Sequence, residues 1–178
     1  DVAWNLDSSL HSFDEGDDVG NLNSPDEGKD ERKENVKEVY REINSFIGSL
    51  GGNGSGEAIY GEMTIGSFQK VVDYMKKYLA FSKESKFLDI GSGVGKPTLH
   101  VSQDPGVSLS MGIELKEERC YLSQHVLRNL LVDKDDRDLY LNGLAKCWFV
   151  QGDVTAEESL SPFTHVYSFD IGWKDEEY

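Results

Sequence analysis

The sequence predicts an α/β fold, with a doubly wound parallel sheet that is preceded by a small helical subdomain. Short apolar runs alternate with helical segments after residue 86, and this alternation is typical of parallel βαβ units. The first run leads directly into a glycine-rich turn and a helix, as in sheets that bind a ligand at their strand ends. Only four runs are visible, whereas such sheets commonly have roughly five to seven strands, so we expect the C-terminal strands to be missing.

Composition and charge limit the partners of this chain. Its 178 residues carry 18 Lys and Arg against 33 Asp and Glu, a formal net charge of −15. This charge argues against direct binding of nucleic acid or an anionic membrane, and it favours a basic protein partner. Cys120 and Cys147 stand far apart without spaced histidines, which indicates neither a disulfide framework nor a metal site. Because no apolar run reaches about 20 residues, we expect a soluble, intracellular protein.

The N-terminal part divides into a tail and a helical subdomain. Residues 1–28 are acidic with few apolar side chains, so we expect a disordered tail. Residues 29–83 contain two amphipathic helices, joined by a glycine-rich connector and a Tyr-Gly-Glu loop. The second helix is capped by Thr64 or Ser67 and ends around Phe81. The apolar stripe of the first helix comprises Val36, Val39, Tyr40, Ile43, Phe46, Ile47 and Leu50.

Residues 84–178 form the first half of the predicted sheet domain. Strands are expected at 87–90, 110–114, 148–150 and 165–170, and helices at Lys96–Gln103 and Lys116–Val132. Pro97 suits the first turn of the first of these helices. His100 and His125 fall on the two helices and look exposed. Histidines at such positions are more often surface or packed residues than catalytic bases, so no role is assigned to them.

The glycine-rich turn after the first strand is the most informative segment. A phosphate-binding P-loop needs Gly at position 90, which is Ile, and Ser or Thr at position 97, which is Pro. The dinucleotide fingerprint needs Gly or Ala at position 96, which is Lys, so a nicotinamide cofactor is disfavoured without being excluded. An acidic residue and three alternating glycines suit S-adenosylmethionine, which can lie directly against the turn. These residues are Asp89, Gly91, Gly93 and Gly95.

Two further carboxylates follow at strand ends. Glu114 ends the second strand, where it can accept hydrogen bonds from both ribose hydroxyls of such a cofactor. Asp153 follows the third strand, where it can accept from the adenine amino group while Val154 lies against the ring. Each residue also has an ordinary structural explanation: a tight turn for the glycines, a strand-end carboxylate for Glu114 and a helix cap for Asp153. Taken together, the three acidic residues stand at successive strand ends, each after an apolar run, and this pattern favours a cofactor pocket.

The chain resembles the disruptor-of-telomeric-silencing (DOT-type) histone H3 lysine methyltransferases. These enzymes have the Rossmann-like fold of class I S-adenosylmethionine-dependent methyltransferases instead of a SET domain. The resemblance covers about residues 57–170. It is carried by Tyr60-Gly61-Glu62, Phe87-Leu-Asp-Ile-Gly-Ser-Gly-Val-Gly95, Gly112-Ile113-Glu114 and Gly152-Asp153.

The resemblance implies S-adenosylmethionine as cofactor, a histone within the nucleosome as substrate, a nuclear location and a role in chromatin regulation. It assigns Tyr60, Gly61 and Glu62 to cofactor binding and to the substrate channel. The glycine loop, ribose acid and adenine acid of the family correspond to Asp89, Gly91, Gly93, Gly95, Glu114 and Asp153.

Methyl transfer is an in-line displacement, and a lysine acceptor must be neutral although its usual pKa is about 10.4. An aromatic or apolar channel disfavours the ammonium, and Tyr60, Phe169 and Trp173 are candidate walls. Asp170 follows the fourth strand and is the candidate to hold or deprotonate the amine. Tyr60 and Asp170 are therefore the predicted catalytic residues.

The sequence departs from the family at three places. Lys96 stands where the family often has Gln, and Met63 stands where animal members have Thr. After the fourth strand, Asp170-Ile-Gly-Trp173 replaces the Asn-Asn-Phe of the family. Two alternatives therefore stay open: a methyltransferase of another protein or a small molecule, and a catalytically silent acidic module that binds basic partners.

Overall fold

Helices packed around a four-stranded sheet make up most of the part of the chain that the structure describes. The computed structural model describes residues 27–47, 63–132 and 142–169. The elements are α1 Glu27–Ile47, α2 Ile65–Tyr78, β1 Lys86–Ile90, α3 Lys96–Gln103, β2 Leu109–Glu114, α4 Glu117–Val132, β3 Cys147–Gln151 and β4 His165–Ser168. A short 3-10 helix covers Val154–Ala156. The predicted acidic tail, except its last two positions, and the predicted glycine-rich connector lie outside these ranges.

The strands form one parallel sheet in the order β3-β2-β1-β4. β1 is central, since Asp89 pairs with Gly112 of β2 on one side and with Tyr167 of β4 on the other. The chain first steps outward from β1 to β3 and then returns to the opposite side of β1, as doubly wound sheets do. The predicted fold class is therefore confirmed.

Local sequence explains where the helices begin. Thr64 caps α2, because its Oγ1 accepts a hydrogen bond from the Ser67 N–H at 3.2 Å. Pro97 lies in the first turn of α3, where its missing N–H costs no helical hydrogen bond. Of the two caps that the sequence allows for α2, Thr64 is the one used.

The core consists of two apolar clusters. The first cluster joins the buried stripe of α1 to α3, α4 and β3; its buried members are Val36, Val39, Tyr40, Ile43, Val94, Leu99, Cys120, Val126, Leu130, Leu144, Cys147 and Phe149. The second cluster lies between α2, β1 and α3; its buried members are Phe68, Val72, Met75, Phe81, Phe87, Val101 and Val107. Both N-terminal helices thus pack directly on the sheet domain. Tyr40 of α1 and Phe68 of α2 lie near the carboxyl ends of the strands. The predicted boundaries at residues 28 and 83 stay a prediction.

Candidate functional site

A cavity lies at the carboxyl ends of β1 and β4, the two neighbouring strands between which the strand order reverses. Doubly wound sheets bind their ligands at this point. α1, the start of α2, the turn after β1 and the end of β4 all contribute to the cavity. The lining residues are Tyr40, Met63, Phe68, Asp89, Gly91, Ser92, Lys96, Pro97, Tyr167 and Phe169.

The turn after β1 depends on its glycines. Gly91, Gly93 and Gly95 have φ angles of 71°, 55° and 87°, a left-handed conformation that residues with a side chain rarely adopt. The N–H groups of Gly91 and Ser92 both donate to the Ile113 carbonyl, at 2.9 and 3.1 Å. The turn is therefore fixed against the end of β2, and its backbone borders the cavity.

Glu114 lies beside this turn at the end of β2. Its side chain is buried, with 5% of the residue surface exposed. The Gly93 N–H donates to its Oε2 at 2.8 Å, and the Lys116 N–H donates to its Oε1 at 2.9 Å. Because a carboxylate oxygen has two acceptor positions, each oxygen can accept one more hydrogen bond, as from a pair of neighbouring hydroxyls.

Asp89 is a buried carboxyl at the floor of the cavity. Its Oδ2 accepts a hydrogen bond from Thr98 Oγ1 at 3.1 Å. Burial raises the pKa of Asp89 from its usual 3.8 to about 7, the hydrogen bond from Thr98 opposes the rise, and the nearby charge of Glu114 adds to it. Burial, and next the charge of Asp89, raise the pKa of Tyr167 to about 12. A positive group placed in this cavity would favour the ionised form of Asp89.

Asp153 lies at the end of β3 and caps the 3-10 helix that follows it. Its Oδ1 accepts hydrogen bonds from the Thr155 N–H at 2.9 Å and from Thr155 Oγ1 at 2.7 Å. These two bonds lower the pKa of the exposed Asp153 carboxyl. The capping role that the sequence allowed is therefore present. Val154, the first residue of the 3-10 helix, is half-buried.

The structure brings most of the sequence-predicted site residues to one edge of the sheet. Asp89 and Gly91 line the cavity, Gly93 and Gly95 belong to the same turn, Glu114 accepts a hydrogen bond from this turn, and Asp153 follows the outer strand on the same edge. Tyr60, Gly61, Glu62 and Asp170 lie outside the described residues, as does Trp173.

Sequence analysis missed several residues of the cavity wall. Tyr40 and Phe68 belong to helix stripes whose spacing indicates only burial, and nothing in the sequence separates a core aromatic from one at a cavity. The expectation that His100 is exposed is wrong, because α1 and α2 both cover α3 at this point and leave His100 fully buried.

The three described stretches hold neither a cluster of metal-binding side chains nor a helix able to span a membrane. Within them, no group of three or more His, Cys, Asp or Glu side chains could hold a metal ion. None of their helices combines the length and apolar character that crossing a bilayer requires.

The sheet order, the glycine turn and the cavity define a doubly wound α/β protein with a cavity at the carboxyl ends of two neighbouring strands. The family model described as histone methylation protein DOT1 matches residues 53–162, which is more than half of the chain. The chain therefore belongs to the DOT1 family of histone methylation proteins. No curated protein matches the chain.

Several solved structures are similar to this chain. YjhP from E. coli is 13% identical with a TM-score of 0.47, and the match covers 76% of this chain and 44% of that one. A SAM-dependent methyltransferase from Thiobacillus denitrificans, in complex with S-adenosyl-L-homocysteine, is 15% identical with a TM-score of 0.46 and coverages of 73% and 42%. Coclaurine N-methyltransferase is 14% identical with a TM-score of 0.44 and coverages of 83% and 43%. The chain spans less than half the length of each.

Proposed function

We propose that this chain supplies the cofactor-binding half of an S-adenosylmethionine-dependent methyltransferase that methylates a lysine of histone H3. The observation that carries the proposal is the buried Glu114 carboxylate, which is hydrogen-bonded to the glycine turn at the switch point of the sheet. Membership of the DOT1 family supports the same activity.

The residues at the site fit this cofactor. Both carboxylate oxygens of Glu114 keep an acceptor position for the ribose hydroxyls, and Ser92, whose buried side-chain oxygen has no hydrogen-bond partner in the described part of the chain, belongs to the cavity lining. In the proposal, Glu114 accepts from the ribose hydroxyls, Asp153 accepts from the adenine amino group and Val154 packs on the ring. The turn of Gly91, Gly93 and Gly95, together with Asp89, Tyr60, Gly61 and Glu62, holds the remainder.

The bound cofactor supplies an activated methyl group, and the protein has to align the acceptor and exclude water. Phe68, Tyr167 and Phe169 give the cavity an aromatic wall. Such a wall disfavours an unpaired lysine ammonium, so the acceptor loses its proton more readily on entry. Tyr60 and Asp170 are the proposed catalytic residues, with Asp170 holding or deprotonating the amine.

The net charge of −15 supports a basic substrate such as a histone. The proposed nuclear location rests on membership of the family of histone methylation proteins. Methyl transfer from labelled cofactor to nucleosomes, free histones and small amines tests the acceptor. We expect label in histone H3 of nucleosomes. Label in small amines alone would contradict the histone substrate, and cofactor binding without any transfer would favour the silent binding module.

Replacement of Glu114 by Gln is expected to weaken the binding of S-adenosylhomocysteine at least tenfold. The amide provides one acceptor oxygen in place of two and loses the charge, and hydrogen bonds to charged groups contribute about 1.5–3 kcal/mol each. Calorimetric titration of the full chain with S-adenosylhomocysteine and, separately, with NAD measures the effect. We expect the unmodified chain to bind the first ligand only.

The matched control is Glu118→Gln on the exposed side of α4, which removes the same charge away from the cavity. Thermal unfolding of each variant shows whether the altered contacts to Gly93 and Lys116 also affect folding. Equal affinities of the two variants for S-adenosylhomocysteine would contradict the role of Glu114. Comparable binding of NAD would contradict the class of cofactor.

A further inference from the structure

A chain of hydrogen-bonded side chains runs from the cavity through three helices. Tyr40 OH lies 3.3 Å from His100 Nδ1, and His100 Nε2 lies 2.9 Å from Gln69 Oε1. Gln69 Nε2 in turn donates to Asp73 Oδ1 at 3.0 Å and to Asp104 Oδ2 at 2.8 Å. Tyr40 is one of the residues that line the cavity, so this series of hydrogen bonds begins at the cavity wall.

The two carboxylates determine which way the Gln69 amide is turned. Ionised carboxylates only accept hydrogen bonds, so both N–H groups of Gln69 point to Asp73 and Asp104 and its oxygen faces His100. His100 Nε2 must therefore carry a proton. Burial lowers the pKa of His100 to about 4, so the ring is neutral at pH 7 and Nδ1 is an acceptor.

The hydroxyl of Tyr40 consequently donates its single proton to His100 Nδ1. The Tyr40 oxygen can then only accept, and any other partner of this oxygen has to be a donor. Edge-to-face contacts fix the imidazole, with ring centroids 5.7 Å from Tyr40 and 5.0 Å from Phe68. Toward the cavity, Tyr40 thus favours an N–H or O–H group and disfavours a carboxylate oxygen.

The strand order indicates which end of the cofactor meets Tyr40. Asp153 and Glu114 follow β3 and β2, where they are proposed to hold the adenosine portion. The cavity with Tyr40 lies at β1 and β4, on the other side of the glycine turn, and is left for the amino-acid end. Of the two groups at that end, the ammonium donates hydrogen bonds and the carboxylate does not.

We propose that Tyr40 is a cofactor-binding residue whose oxygen accepts a hydrogen bond from the amino group at the amino-acid end of the cofactor. His100 and Gln69 are positioning residues that keep the hydroxyl proton of Tyr40 turned away from this amino group. The inference rests on the proposed function, since it takes S-adenosylmethionine as the cofactor.

Titration of the full chain with two different compounds distinguishes a cofactor-binding role of Tyr40 from a purely structural one. S-adenosylhomocysteine has both the adenosine and the amino-acid end, whereas methylthioadenosine has the adenosine portion and lacks the amino group. Tyr40→Phe keeps the ring and removes the oxygen. In calorimetric titration, we expect the affinity of this variant for S-adenosylhomocysteine to be lower by at least about tenfold. Its affinity for methylthioadenosine should change by less than about twofold.

Tyr78→Phe is the matched control, because it removes the hydroxyl of an exposed tyrosine on α2. It should change neither affinity. An equal loss for both ligands in Tyr40→Phe, or no loss for either, would overturn the role of Tyr40. Failure of the unmodified chain to bind S-adenosylhomocysteine would instead overturn the proposed function, so the two failures are distinguishable.

The positioning role of His100 has its own test by conservative rescue. His100→Phe removes the acceptor for the Tyr40 proton, so the hydroxyl can turn toward the ligand. His100→Gln retains one acceptor and one donor group. We expect His100→Phe to weaken S-adenosylhomocysteine binding selectively and His100→Gln to restore most of it. Equal affinities of the two variants would contradict the positioning role.

Discussion

Replacement of Gly95 by Ala is expected to lower the free energy of unfolding by about 3 kcal/mol. Gly95 has a φ of 87°, where an L side chain costs roughly 1–2 kcal/mol. A Cβ at this position would also overlap Phe149 Cζ and lie 2.6 Å from Phe149 Cε1. Phe149 is buried, and its ring packs against Gly112 as well, so the ring has little room to move away.

Chemical denaturation of the full chain measures this loss. Gly66→Ala is the matched control, since Gly66 lies in α2 and a Cβ there would meet nothing within 4 Å. This control is expected to raise the free energy of unfolding by up to about 1 kcal/mol. Combining Gly95→Ala with Phe149→Leu should cost less than the sum of the two single changes, because the smaller side chain relieves the overlap. Additive costs would show that the overlap contributes nothing.

The helix boundaries show what local sequence determines. α3 was predicted at its observed limits and α4 to within one residue, because their apolar spacing and flanking residues agree. α2 was expected to end around Phe81 but ends at Tyr78. Ala80 adopts a left-handed φ of 54°, and the N–H groups of Leu79 and Phe81 both donate to the Met75 carbonyl. Glycine usually takes this position, so the sequence contains no sign of the stop.

The site shows what only packing determines. That the acids and the glycine turn share one edge could be expected from the sequence, because Asp89 and Glu114 lie in the last two positions of their strands, Gly91 and Asp153 come one and two residues after theirs, and parallel strands bring such positions together. The bond between Tyr40 and His100 joins residues 60 positions apart and depends on how α1 crosses α3. Helical spacing identifies both residues as parts of helices, but it does not reveal that their polar atoms meet beside a cavity.

Two buried groups are expected to give the folded state opposite dependences on pH. His100 has its pKa lowered from 6.5 to about 4, chiefly by burial, so its contribution to stability is complete above pH 6.5 and is lost as the pH falls toward 4. Asp89 has its pKa raised from 3.8 to about 7, again chiefly by burial, so its contribution is complete below pH 3.8 and is lost as the pH rises toward 7.

The two effects nearly cancel between about pH 4 and 6.5. One pH unit between the pKa values of the folded and unfolded states corresponds to about 1.4 kcal/mol, so His100 contributes about 3 kcal/mol and Asp89 about 4 kcal/mol over their full ranges. Asp104 does not disturb this window. Burial acts to raise its pKa, but the hydrogen bonds from Lys76 and Gln69 outweigh burial and lower the pKa below 3.8.

Substitutions that remove one titrating group should expose the contribution of the other. In Asp89→Asn, where the amide resembles the protonated carboxyl, the free energy of unfolding should rise by about 3 kcal/mol from pH 4 to 6.5. In His100→Gln the free energy of unfolding should fall by about 3 to 4 kcal/mol from pH 4 to 7. In the double variant, the free energy of unfolding should depend on pH as it does in the unmodified chain. Denaturation with urea at a series of pH values measures all four proteins. Equal slopes in the two single variants would mean that neither group titrates as its burial requires, because their linkages have opposite signs.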